Sequence, residues 1–407
     1  MVVAVRLSLL GRLARAALVA VLAAATMSAC GGGDSAFTAD PNEPETPGQP
    51  DAGVPDEPPT IDVEQPPPRL LSELNLLAWD RESEVVVYND LAVPYELNTP
   101  LFSDYTAKSR AIFMPAGSSA AYDPNGVLDF PVGTVIVKTF IFADDLRTPD
   151  RDRTIIETRL LRRASSGWEA WPYIWNEDQT DADLKVGGKT LEVSFIDARG
   201  EPRTASYLVP QRNQCAKCHD RNVGPDQARI LTPIGPEARH LNRDQAFADG
   251  VHNQLQYLAD RGQLTGLPPL DEVPAAYDFR PVEQGGVDVV PDAELDRAAR
   301  DYLDINCAYC HDPFGTNGVT SQLFLNHDSD DLFRLGVCKR PGSAGEGNGG
   351  LTYNIVPGDP DNSIMVFRVE TVENGAIMPV LGRSIRHDVG AALVRRWVAA
   401  MDPVDCD

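Results

Sequence analysis

Residues 291–314 read PDAELDRAARDYLDINCAYCHDPF. A proline followed by an acidic turn is a helix start, and Leu295, Ala299 and Tyr302 then recur at helical spacing. An apolar stripe therefore leads straight into Cys307, Cys310 and His311. The same five-residue arrangement stands upstream in NQCAKCHDRN, residues 213–222, as Cys215, Cys218 and His219. Four of the 7 cysteines are committed to this doubled pattern, and the reading of the pattern decides what the rest of the chain is built around.

Cys-x-x-Cys-His suits covalent attachment of c-type haem. Two thiols on one short turn form thioethers with the porphyrin vinyl groups, and the neighbouring imidazole ligates the iron. Two such matches arise by chance in roughly one of a few hundred thousand sequences of this composition. Other readings stand beside it. A structural zinc site could draw on two Cys-x-x-Cys pairs but leaves the paired histidines unexplained. A thioredoxin-like pair would want a βαβ context, which is absent, and two local disulfides would close very small rings. Downstream, NGAIMPVLGRS offers Met378 as a second iron ligand opposite His311. The order of entry helix, attachment motif, loops, methionine and closing helix (HDVGAALVRRWVAAM, with Val389, Leu393 and Trp397 on one face) is that of a class I cytochrome c domain.

The N-terminus places the chain outside the cytoplasm. Arg6, Arg12 and Arg15 precede an apolar stretch from Ala16 to Ala25 and then MSAC, so residues 1–29 read as a lipoprotein signal peptide with Cys30 as the lipidation site. The expected location is the periplasm or cell surface, on a membrane through a lipid anchor, with the outer membrane favoured by Gly31. The formal charge of -24 falls to about -27 when three leader arginines are removed, which excludes nucleic acid as a partner and suits a redox partner with a basic docking face.

Residues 30–69, rich in Pro, Asp and Glu, read as a disordered linker. From 70 to 210 the period changes to two. FPVGTVIVKTFIF is a strand, TRLLRRASSGWEAWPYIWN is a pair around Ser-Ser-Gly, and TLEVSFIDARGEPRTASYLV is a pair around Ala-Arg-Gly-Glu. The expected fold is multidomain: an antiparallel β domain, sandwich or barrel, over 70–210, a first haem-binding segment over 211–285, and an all-α class I cytochrome c domain over 286–407. Within the middle segment, GVHNQLQYLADRG places Val251, Leu255 and Leu258 on one helical face.

Over about residues 70 to 405 the chain resembles a family of bacterial diheme c-type cytochromes, mostly exported or lipoprotein. The matching stretches are PYELNTPLFSDYTAKSR, FPVGTVIVKTF, VPQRNQCAKCH, PIGPEARHLN, YLDINCAYCH and IMPVLGRSIRH. The resemblance implies two covalently bound haem c groups and electron transfer, with no established substrate for the β domain. Cys215, Cys218, Cys307 and Cys310 would attach the haems, His219 and His311 would ligate iron, and Met378 would complete the second site. For the first iron, His240, His252, His327 and His387 are candidate sixth ligands, and an open position is the alternative. An open position would suit a peroxidase-like haem enzyme, while the β domain could equally serve to bind a partner protein. Cys338 and Cys406 are left as a candidate disulfide in an oxidising compartment.

Overall fold

Alternating apolar residues build a six-stranded antiparallel sheet in this computed structural model. The structure describes residues 57–223, 228–316, 321–342 and 345–407, with Pro55, Val319 and the backbone of Val3–Ala4. Apart from Val3–Ala4, the stretch expected to be a signal peptide lies outside the described residues, as do Cys30 and the first part of the expected linker.

Strands β1 (Leu77–Asp80) and β2 (Val85–Tyr88) form a hairpin. Next come β3 (Val93–Pro94), β4 (Ala107–Phe113), β5 (Val135–Ala143), β6 (Arg153–Ala164), β7 (Gly167–Trp175) and β8 (Ala182–Leu184), and the sheet order is β8-β7-β6-β5-β4-β3. A second hairpin, β9 (Lys189–Ile196) and β10 (Pro202–Val209), packs on it. Both hairpins expected around Ser-Ser-Gly and Ala-Arg-Gly-Glu form, with Ala164 opposite Gly167 and Ile196 opposite Pro202. Gly167 sits at φ +131, which only glycine adopts without strain. The barrel alternative is overturned: β3 and β8, two and three residues long, stay as edges too short to meet.

The period of two sends neighbouring residues to opposite faces. On one face Phe113, Val137, Leu160 and Tyr173 pack against Leu77 and Trp79 of the first hairpin. On the other, Phe140, Phe142 and Ile174 meet Leu191, Phe195 and Tyr207 of the second. The pairing of β5 with β6 jumps from Glu157 to Ile155 between Phe140 and Ile141, a bulge that keeps Ile156 on the second face.

Two expected boundaries are corrected. The linker does not run to residue 69, because its last part is tied to the sheet. Arg162 donates to the carbonyls of Asp62 (2.5 Å) and Gln65 (2.6 Å), Tyr173 donates to that of Pro68 (2.8 Å), and Val63 is buried in the first core. Nor is 211–285 a separate segment. Ala238, Leu241, Leu255, Leu258 and Leu264 share one core with Val93, Ile112, Leu128 and Ile136 of the sheet domain. Within it, α1 (Ala216–His219), α2 (Ala238–Leu241) and α3 (Gln254–Asp260) are short. Val251 leaves the expected helical face and is exposed on a two-stranded ribbon, because Asn253 caps α3 by accepting from Leu255 N and Gln256 N.

Beyond residue 270 the described chain forms helices and loops with isolated bridges only. Helices α4 (Arg280–Gly285), α5 (Leu295–Leu303), α6 (Ile364–Glu370) and α7 (Asp388–Ala400) bury Val282, Leu295, Ala299, Tyr302, Val366, Leu393 and Trp397 around one core. The stripes expected on α5 and α7 thus face inward. Cys338 and Cys406 form the disulfide, closing 68 residues of chain and fastening the C-terminus. By loop entropy, Cys338→Ser with Cys406→Ser should cost about 2–4 kcal/mol. Urea unfolding of the double variant should show a lower midpoint, and an unchanged midpoint would remove this role.

No helix among the described residues is long and apolar enough to cross a membrane.

Candidate functional site: two abutting Cys-x-x-Cys-His turns

Both motifs adopt the same local fold. In each, the second cysteine N–H and the histidine N–H return to the first cysteine carbonyl: Cys218 at 3.2 Å and His219 at 3.0 Å to Cys215, Cys310 at 3.0 Å and His311 at 2.9 Å to Cys307. One tight turn thereby presents two thiols and an imidazole together. The second motif is delivered by α5 through a π-helical turn, Asp304–Ala308, a distortion frequent at functional sites. All four thiols are unbonded. Burial pushes each of them up, Cys307 and Cys310 to about 12, so the free side chains are neutral nucleophile precursors rather than thiolates. They do not converge as a tetrahedral metal site requires. Among the described residues the one cluster with metal-ligand spacing is Glu237, His240 and Asp304, which contains none of the four thiols.

Both imidazoles are oriented through Nδ1. His219 Nδ1 lies 2.8 Å from the Thr232 carbonyl oxygen, which can only accept, so Nδ1 carries the proton and Nε2 keeps its lone pair. His311 Nδ1 lies 3.0 Å from Ser321 Oγ. Burial lowers both histidines to about 4, in His311 with help from Arg368, which keeps the rings neutral at ordinary pH.

Each turn borders a cavity. The first lies between α1 with residues 233–236 and the second face of the sheet. The second lies among His311, Leu325, Met365, Arg368 and Met378. Both are open on one side and lined mainly by apolar side chains with a few polar groups, the character of a site for a largely apolar organic group. Met378 therefore shares a cavity with His311 as expected. Its loop is stapled by Arg383, which donates to the carbonyls of Met378 (2.9 Å), Arg368 (2.9 Å) and Thr371 (3.1 Å).

The first cavity differs. Among the described residues, none of His240, His252, His327 or His387 lines it, and neither does any methionine. His240 is buried beside Arg239 and Asp304. His252 sits on the exposed ribbon, His327 lies by Asp304, and His387 stacks on Phe102 at 4.2 Å. What the sheet contributes instead is a row of cations: Arg110, Lys138 and Arg159 are direct cross-strand neighbours on β4, β5 and β6, and all line the cavity. Burial, then Arg110, Lys108 and Arg159, pulls the Lys138 ammonium well below its ordinary value. The readable signal was Lys138, the one charged residue inside FPVGTVIVKTFIF, a run whose only other polar side chains are Thr134 and Thr139.

The two turns abut. Asn222 N donates to the Phe314 carbonyl (3.0 Å), Arg221 pairs with Asp312 (3.0 Å), and Cys310 Sγ lies 3.5 Å from the Lys217 carbonyl oxygen. Cys218, Tyr309 and Leu381 border both cavities. The stretch LNTPLFSDY joins the lobes around them. Phe102 N donates to Asn306 (2.8 Å), and Asp104 accepts from Ser384 N (2.7 Å) and Ile385 N (3.1 Å), just past the Met378 loop.

No family model, curated protein or solved structure matches the chain.

Proposed function

We propose that the chain is an exported diheme c-type cytochrome that relays electrons, its C-terminal helices forming a class I cytochrome c domain. Cys215 and Cys218 would attach one haem with His219 as iron ligand. Cys307 and Cys310 would attach the other, with His311 and Met378 as its ligands. The haems supply reversible one-electron chemistry when bound. The protein orients the imidazoles through Thr232 and Ser321, excludes water with apolar walls, and holds the second-site methionine through Arg383. In the same reading residues 1–29 direct export, Cys30 carries a lipid anchor, and the acidic surface meets a basic redox partner.

The observation that carries this reading is the shared wall. Cys218, Tyr309 and Leu381 belong to both cavities, so groups attached at the two turns would be neighbours in van der Waals range of the same side chains. Two unrelated structural sites have no need of that proximity, whereas electron transfer does.

The chain should be expressed with its leader in a host that matures c-type cytochromes, then measured by intact mass and redox-titrated absorption. Two added haem masses and two resolvable potentials are expected. A mature protein without added haem mass would sink the reading.

A further inference from the structure

Three like charges placed directly opposite one another across adjacent strands destabilise a sheet. Arg110, Lys138 and Arg159 form such a row on the cavity side of the sheet, and without an anion the repulsion is relieved in part by Lys138, which burial and its neighbours push toward the neutral amine. Arg159 is answered within the protein: it pairs with the fully buried Glu157, which also accepts from Tyr207 OH at 2.6 Å, and its guanidinium stacks on Phe140 at 4.3 Å. Arg110 is answered by half. Its Nη1 pairs with Glu96 at 2.9 Å, while Nη2 is buried without a partner, in a side chain only 3% exposed. Lys138 stands between the two arginines; among the described residues it makes no hydrogen bond or ion pair, its Nζ lies over the Phe140 ring at 5.0 Å, and the Glu157 carboxylate acts on it from farther away. Arg110 Nη2 and the Lys138 amino group, the donors left without a hydrogen-bond partner, belong to side chains that line the first cavity.

We propose that Arg110 and Lys138 form an anion site inside the first cavity, which takes a carboxylate or small oxyanion from the sheet side, across from the turn that carries His219. The inference rests on the diheme reading and deepens it, because among the described residues the same cavity offers no methionine or second histidine as a further ligand. Two sources share the required chemistry: a propionate of the covalently attached haem, or a soluble oxyanion that reaches the open side of that iron. A buried guanidinium beside a half-buried lysine, whose protonated form an incoming anion favours, provides charge-assisted hydrogen bonds worth more than neutral ones, and the pair leaves a neutral ligand no comparable partner.

The test uses the full-length matured protein. Sodium nitrite is titrated into the ferric form, followed by calorimetry and by the Soret band, for wild type, Lys138→Leu and Lys138→Arg. Leucine is chosen because it cannot ligate iron. Carbon monoxide binding to the ferrous form serves as the neutral control, and thermal melting confirms folding. If the source is soluble, nitrite binds wild type, binds Lys138→Leu roughly 10- to 100-fold more weakly, and recovers in Lys138→Arg, with carbon monoxide unaffected. If the source is a propionate, nitrite shows no dependence on residue 138, but Lys138→Leu lowers the potential of the first haem, since loss of a nearby cation favours the ferric state, and Lys138→Arg restores it.

Nitrite binding and first-haem potential that are both indifferent to Lys138→Leu would overturn the site. So would a low-spin first iron that becomes high-spin only in Lys138→Leu, because the amine would then be the iron's own ligand. Failure of the underlying reading is separable. It would appear as absent haem mass, and nitrite or acetate calorimetry on that same preparation would still test the cation pair.

Discussion

Met378→Ala is expected to lower the reduction potential of one haem while leaving the other in place. A thioether opposite an imidazole favours ferrous iron, and axial ligation spans about 0.8 V across haem proteins, so a loss on the order of 0.1–0.2 V is the scale anticipated here. The second cavity sharpens the test because it is lined by two methionines. Met365 is 8% exposed and packed in the helical core, whereas Met378 lies on the loop that Arg383 holds. Met365→Ala should therefore cost about 2–5 kcal/mol of stability as a cavity substitution, with little change in potential. If the potential instead follows Met365, or neither residue moves it, the assignment of Met378 falls. Arg383→Leu should mimic Met378→Ala in part: the carbonyls that fix the loop lose their donor, so a fraction of the second iron becomes high-spin while the haem mass stays.

The doubled motif, the strands, and the order of helices around Met378 were legible because each follows a local rule. Thiol spacing serves one turn, period two serves a sheet, and period 3.6 serves α5 and α7. The linker boundary was not legible in the same way. VEQPPPR has the composition of a spacer, and its ordering comes from Arg162, Tyr173 and Ser165 about a hundred residues later in the chain. Likewise, no local pattern says that residues 238–264 pack on β4 and β5, since Leu241, Leu255 and Leu258 find their partners only across the sheet. The cation row illustrates the intermediate case. Arg110, Lys138 and Arg159 are individually visible as charged residues within apolar strands, but their side-by-side placement depends on strand register, which no single strand encodes. The quoted stretches PLFSDY and GRSIRH look unrelated in sequence and meet through Asp104 and Ser384, which explains why both read as distinctive without either carrying a motif.

The other large effect concerns how the lobes are locked beside the second turn. Arg239 on α2 pairs with Asp301 on α5 and, at 2.9 Å, with Asp304 at the start of the π-helical turn; Asp304 also accepts from His327 N at 3.1 Å. All three ionic side chains are at most 12% exposed. Burial alone would raise Asp304, but His240, His327 and Arg239 outweigh it and hold the carboxyl well below its usual range. Glu237, next to it, goes the other way, raised by burial and by the Asp304 charge.

Arg239→Leu would strand Asp301 and Asp304 without their counterion, and breaking such a buried pair should cost about 3–5 kcal/mol. Asp304 has a depressed folded pKa, so its contribution is present above the ordinary carboxylate value near 3.9 and is lost as pH falls through the folded value. Wild-type stability should therefore decline below about pH 4, where the unfolded chain's Asp304 takes up a proton that the folded one still excludes. In Arg239→Leu, Asp304 loses a cation that lowers it and should take up its proton at higher pH, so the deficit relative to wild type should be largest near neutrality and shrink on acidification. Urea unfolding of both proteins from about pH 7 down to about pH 3 measures this directly. A deficit independent of pH would mean that Arg239 serves only as packing, and that the turn bearing Cys307 is held by its apolar core instead.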